Sequence, residues 1–418
     1  MDNLIYWIWL SLACTPDSAT FPKLISKFPD AKAIYDADIK EISRVIGANA
    51  SDRAALADKS LDKAMEIHSF CTKHNVGLLS YSDERYPKSL KEIQTPPVLL
   101  YYRGVLPDFN SGVYIASVGT RTLSDYGRRS AFKISYDLAC AGATIVSGMA
   151  MGIDGVSHAA ALSAGKPTVA VLGSGIDVCY PNAHLRLARE IVKTGCIITE
   201  FAPKTQPQRY NFPKRNRIIS GLASATVLIE GGEKSGALIT ARCAQSQGRA
   251  VYALPGKVGD KNSEASNLLL KNGARLVTCA EDIIKAYDNS STGLLNPFNL
   301  QSRLPVDVME ALRNYEVVAV AQGDDIFTPP KQKKQRVEKA PAFDTPNEEE
   351  QVTQAPPDSF DKNALKLYKK IPVSGEISIE SLISEEFSMR DIMKLLLKLE
   401  MGKFVVMLPG EKVARKSN

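Results

Sequence analysis

The chain predicts an α/β protein: a doubly wound, Rossmann-like parallel sheet, preceded by a small helical domain and followed by a winged-helix domain. Three observations carry this expectation. Between Val113 and Tyr287, six short apolar runs alternate with amphipathic stretches of helical period. Each run ends in glycine or a polar turn, as strands do when helices cover both faces of a parallel sheet. Before residue 105 the apolar residues recur at helical spacing, and after residue 360 helices lead into a hairpin.

Composition sets the frame. A chain of 418 residues suggests roughly two to four domains. Its 44% hydrophobic and 23% charged residues are those of a globular protein. A net charge of +6 permits a polyanionic partner without requiring one. Seven cysteines without any C-x-x-C pair point to reduced thiols and a cytoplasmic location. Four histidines and no spaced Cys/His cluster argue against a zinc site, and no other metal or cofactor is expected. Leu4–Cys14 looks like the apolar part of a signal sequence, but no Lys or Arg precedes it and it is too short to span a bilayer. It reads as the first helix of a folded domain, and no membrane association is expected.

Residues 1–105 are the helical domain, with helices around Phe21–Phe28, Ile39–Ile46 and Leu61–Cys71, punctuated by Pro16, Pro22, Pro29 and Gly47. Pro96-Pro97 then leads into a short strand, Val98–Tyr102. Residues 106–287 are the core. Its strands are Val113–Val118, Thr144–Ser147, Thr168–Leu172, Ile197–Glu200, Thr226–Glu230 and Ala250–Leu254, with helices including Tyr126–Ala141, His184–Thr194 and Ser235–Gln247. Such sheets bind ligands beyond the carboxyl ends of their strands. Residues 288–360 read as a largely disordered connector with one helix near Val306–Asn314 and a Pro-, Gln- and Lys-rich run. Residues 361–418 complete the chain with helices Ala364–Lys370, Ile379–Ile383 and Ser388–Leu399, the last opened by S-M-R-D, then a hairpin starting at Phe404. Winged helices bind DNA or proteins, so this domain leaves its own role open.

Chemistry concentrates at the strand ends. The loops are G-T-R-T-L-S-D-Y-G with Arg121, S-G-M-A-M-G-I-D-G with Ser147 and Gly148, G-S-G-I-D-V-C-Y-P with Gly173 and Ser174, and G-G-E-K-S-G-A-L-I-T with Lys234 and Ser235. Glycines let backbone amides approach an anion, and helix starts add positive charge; glycine also serves packing alone at such turns. Between the fourth and fifth core strands lies Phe201–Gly221, with no acid between Glu200 and Glu230. Cations interleaved with aromatic rings suit single-stranded nucleic acid. The alternative is a solvated loop whose arginines pair with carboxylates elsewhere. Within it, Lys204–Arg209 reads as an approach loop, Phe212 as a stacking platform beside Tyr210, and Arg215 with Arg217 as a phosphate grip at a helix start, with Lys214 and Asn216 as further binding residues, while Ile218 and Ile219 read as core. Neither G-x-G-x-x-G nor G-x-x-x-x-G-K-S/T occurs in the loops, and no catalytic constellation is identifiable. His158, alone on an apolar helix, reads as a core residue.

Taken in order, S-V-G-T-R, S-G-M-A-M-G-I-D, G-S-G-I-D-V-C-Y-P, F-P-K-R-N-R-I-I-S-G-L, E-G-G-E-K-S-G-A-L-I-T-A and Y-A-L-P-G resemble the DNA-processing protein A family (DprA, also called Smf). The resemblance covers residues 75–287 and implies a bacterial single-stranded-DNA-binding protein without catalytic activity. It implies protection of incoming DNA during natural transformation, help in loading the RecA recombinase, and a homodimer formed through the core. It also implies that Arg121, Arg209, Phe212, Arg215 and Arg217 contact phosphates or bases, and that the N-terminal domain is similar to sterile-alpha-motif or helix-hairpin-helix domains. The sequence departs from the family pattern at Thr120, His184 and Ala265, and lacks an early Gly-x-Gly hairpin. An alternative is a nucleotide-hydrolysing enzyme of the lysine-decarboxylase-like (LOG) group. Its P-G-G-x-G-T-x-x-E loop is matched here only by Glu230-Gly-Gly-Glu-Lys-Ser-Gly-Ala, with Glu230 or Glu233 as the acid.

Overall fold

The computed structural model describes residues 3–47, 50–288, 295–296, 300, 307–313, 327, 361–371, 376–382, 387–401, 404–408 and 412–415. The chain forms two compact units, Met1–Arg336 and Val337–Asn418.

The first unit opens with helices α1 (Asn3–Ala13), α2 (Thr20–Ile25), α3 (Ala31–Asp36), α4 (Ile39–Ile46), α5 (Ala50–Ala57) and α6 (Asp62–Lys73). Trp7, Ile8 and Leu10 of α1 are buried. Side chains of Asp30 and Asp38 accept the first amides of α3 and α4, removing the orphan donors of each helix start. These helices share one apolar cluster with Leu99, Tyr101, Leu187, Ile191 and Ile197.

The sheet that follows has nine strands. β1 (Gly77–Ser80), α7 (Lys88–Lys91) and β2 (Leu99–Gly104) come first. Then β3 (Tyr114–Val118), α8 (Asp125–Cys140), β4 (Thr144–Ser147), α9 (Ile153–Ser163), β5 (Thr168–Val171), α10 (Leu185–Thr194) and β6 (Cys196–Thr199) alternate. The second half is α11 (Asn211–Leu222), β7 (Ala225–Leu228), α12 (Gly236–Ser246), β8 (Ala250–Ala253), α13 (Glu264–Lys271), β9 (Arg275–Leu276) and α14 (Glu281–Asp288). Strand order is β1-β2-β6-β5-β4-β3-β7-β8-β9. All neighbours from β6 to β9 pair in parallel. The order reverses between β3 and β7, and α8 and α9 cover one face while α11, α12 and α13 cover the other, the doubly wound plan expected. All six expected core strands are present within two residues of their expected starts.

The expected boundary at residue 105 needs correcting. β2 runs antiparallel to β6, and β1 to β2, so residues 77–104 extend the sheet rather than close a separate helical domain. The apolar run Val98–Tyr102 offered a pairing edge, and β6 took it.

Of the expected connector, α15 (Val308–Arg313) is present, with Ala311 buried against the cluster containing α8 and α9. The Pro-, Gln- and Lys-rich run lies outside the described residues. The second unit contains α16 (Lys362–Lys370), β10 (Glu376–Ser378), α17 (Met389–Met401), β11 (Val405–Leu408) and β12 (Lys412–Arg415). Ser388 Oγ accepts from the Asp391 amide at 3.4 Å while Asp391 accepts from Ser388 Oγ at 2.5 Å, a reciprocal cap at the start of α17. The expected middle helix is a short 3₁₀ turn, Ile379–Leu382, and the hairpin gains a third strand, in the order β10-β12-β11. Among the described residues no helix is long and apolar enough to cross a membrane.

Candidate nucleic-acid interface

The loops after β3, β4 and β5 meet the first turn of α11, where Pro213 stands at a position whose missing amide hydrogen leaves no helix bond unmade. Phe212, half-buried, is the meeting point. Its ring lies against Gly173, where an added Cβ would stand 2.9 Å from Phe212 Cδ1. Tyr180 packs beside it, with ring centroids 5.6 Å apart at 43°. The exposed Arg121 brings its guanidinium carbon to 5.4 Å from the ring centre, within the range of a cation–π contact.

Arg215 lies beneath, 3% exposed. Its guanidinium donates to the Gly148 carbonyl at 2.8 Å and to the Val171 carbonyl, bracing the ends of β4 and β5. A side chain at Gly148 would collide with that guanidinium at 2.5 Å. Burial holds the Arg215 pKa down to about 10, against the pull of Asp154, so it stays cationic at neutral pH. Asp154 accepts from the Gly148 and Ala150 amides, and burial raises its pKa. Arg215 therefore supplies charge and scaffolding from below rather than a surface grip, which corrects its expected role.

Other expected residues divide similarly. Ser147 and Ser174 point inward: their hydroxyls donate to the carbonyls of Ser117 at 2.6 Å and Val178 at 2.8 Å. Asn216, 7% exposed, donates to the Gly236 carbonyl and ties α11 to α12. Ser235 caps α12 by accepting from the Ala237 amide. Arg209, Tyr210 and Lys234 are exposed, and Lys214 Nζ lies 5.8 Å from the Tyr210 ring centre.

Arg217 is the clearest departure. It is 5% exposed and donates through two nitrogens to the two oxygens of Glu200, at 3.1 and 2.7 Å. Its Nε also lies 3.3 Å from Asp17 and 3.2 Å from Thr95 Oγ1. For this arginine the alternative reading holds: it pairs with a carboxylate elsewhere. A phosphate would have to displace a buried bidentate partner. Tyr180 is the residue the sequence reading missed, although it stands inside the Y-P pair of the third loop.

Of the two acids open to the nucleotide-hydrolysing alternative, Glu233 is exposed and Glu230 is 2% exposed. The Glu230 carboxylate accepts from the amide and hydroxyl of Ser124, the N-cap of α8, and so serves the chain's own helix start. His158 is fully buried, as expected of a core residue.

The chain has relatives among known proteins. The chain is 37% identical over 226 residues to the DNA processing protein DprA of Bacillus subtilis, covering 54% of this chain and 76% of that protein. It is 43% identical over 212 residues to Protein Smf of Escherichia coli, covering 50% of this chain and 56% of that protein. A solved structure of DNA processing protein A from Streptococcus pneumoniae superposes with a TM-score of 0.59 at 32% identity, covering 68% of this chain and 98% of that one. Residues 77–288, which hold all nine strands of the large sheet and its strand-end loops, match the DNA recombination-mediator protein A family, to which this chain belongs.

Proposed function

We propose that this chain binds single-stranded DNA at the strand ends, without catalysing a reaction, and through that binding protects incoming DNA and helps load RecA during transformation and recombination. The observation that carries the reading is Phe212, half-exposed between Arg121 and Tyr180 over a floor of glycine. A base stacks on the ring, Arg121 neutralises the adjoining phosphate, and Arg209, Lys214 and Lys234 receive the strand on either side. Stacking and phosphate contacts carry no base identity, so binding of this kind tolerates any sequence. A duplex keeps its bases stacked on one another, so the platform favours single strands. RecA loading, a homodimer through the core and a cytoplasmic location belong to the same proposal, as does a winged-helix identity for the second unit.

The test is a salt titration of oligo-dT and duplex DNA by fluorescence anisotropy. Single strands should bind more tightly, and Phe212→Ala should weaken them about tenfold. Arg121→Ala should flatten the log–log salt slope by about 0.7. Equal affinity for both DNA forms, untouched by either substitution, would overturn the reading.

A further inference from the structure

A cleft lies between α6 and the loop that leads to the strand-end site. Helix α6 and the loop Ala202–Thr205 enclose a cleft of about 330 Å³, lined by Lys63, Glu66, Ile67 and Phe70 on one side and Pro203 and Lys204 on the other. That volume is at the lower end of what small-ligand sites use. Phe70 is half-buried and is backed by His74, with ring centroids 4.5 Å apart. Lys63 is exposed and makes no ion pair among the described residues.

Lys204 spans the opening. Its backbone sits at φ 66, a conformation uncommon for lysine, and is held there by its amide donating to Asp177 at 2.7 Å. This aims the side chain at α6, placing Nζ 3.1 Å from Glu66 Oε1 and 5.8 Å from the Phe70 ring centre. Both partners of the ion pair are about two-thirds exposed, at 67% and 69%. Such a pair is weak, and a phosphate could replace Glu66 at little cost. Asp177 is 5% exposed and its oxygen faces the Lys204 amide rather than the opening. The loop then runs through Arg209 and Tyr210, both exposed, directly to Phe212.

We propose that this cleft is a second seat for the same single strand, stacking a base on Phe70 and holding phosphates on Lys63 and Lys204. It rests on the reading of the strand-end site, and loop 202–210 is the track between the two seats. The components are those of the first seat, one aromatic platform with cations at its rim.

Anisotropy with oligo-dT of about 6 and about 20 nucleotides separates the seats, because the shorter oligomer is within a single site's span. In the whole 418-residue chain, Phe70→Ala should weaken the longer oligomer about tenfold and leave the shorter unchanged. Phe70→Trp should retain affinity, with tryptophan emission quenched by the longer oligomer alone. Lys63→Glu should reduce the salt slope of the longer oligomer by about 0.7. If Phe70→Ala and Lys63→Glu leave the longer oligomer unaffected while Phe212→Ala weakens it, the second seat is wrong and the strand-end reading stands. Equal weakening of both oligomers by Phe70→Ala also overturns it, since the residue would then act through the fold. If Phe212→Ala changes neither oligomer, the strand-end reading fails and takes the second seat with it.

Discussion

Arg209 and Arg217 share one basic stretch, and burial sets them apart: Arg209 is exposed, whereas Arg217 is buried. Arg217 donates both ends of its guanidinium to Glu200. Arg217→Ala would leave that carboxylate buried and unpaired, so it should lower stability by about 3–5 kcal/mol in urea denaturation. The affinity of the remaining folded protein for oligo-dT should hold; a loss of affinity at unchanged stability would show that Arg217 grips DNA after all. The Arg217–Glu200 pair was not legible in the sequence, because the partners are 17 positions apart and only the packing of α11 on the sheet joins them. Phe212 was legible, since an aromatic among cations at a strand end has few other uses. His158 gives a second residue-level prediction. Thr168 Oγ1 donates to the Ile145 carbonyl, so it must accept from His158 Nδ1, at 2.8 Å, leaving Nε2 bare among the described residues. Burial, reinforced by His184 and Arg215, pushes its pKa down to about 3. Below about pH 6.5 the unfolded chain gains a proton that the folded chain refuses. Stability present above that pH is therefore lost on acidification towards pH 3, at up to about 1.4 kcal/mol per pH unit. His158→Asn should flatten the stability–pH curve in this window; parallel curves for the two proteins would sink the assignment.

At the scale of elements, the parallel strands were readable because each is buried on both faces. β3, β5, β6 and β7 are buried at every position. β1 and β9 lacked that signal: β1 is half-buried for two of its four residues, and β9 is two exposed residues. Their places come from pairing with β2 and β8, a tertiary fact. The strand-end loops were recognisable as a set, but the set held two kinds of glycine: an added Cβ at Gly236 would meet nothing within 4 Å, whereas Gly173 has no such room. Gly173 is there for closeness, because the Phe212 ring rests where a Cβ would go. Gly173→Ala should push the ring out of line and weaken oligo-dT binding several-fold, with the melting temperature lowered by no more than a few degrees. An unchanged affinity would mean the ring can move without loss, and Phe212 would lose its standing as a fixed platform.

At the scale of the whole molecule, every residue of the proposed interface lies in the first unit, Met1–Arg336. Removing residues 337–418 should therefore leave oligo-dT affinity within about twofold, measured at one salt concentration because the phosphate contacts are salt-sensitive. A large loss would make the second unit part of the single-strand site. The same unit contains the brace that Arg215 builds between Gly148 and Val171. Because the chain makes this brace for itself, the platform that Phe212 forms stands before any strand arrives. A docking strand then orders little besides its own backbone. Its arrival is set by diffusion and charge, and its residence time by what it touches. Losses at Phe212 should thus be felt as faster departure, whereas losses at the exposed cations slow the approach.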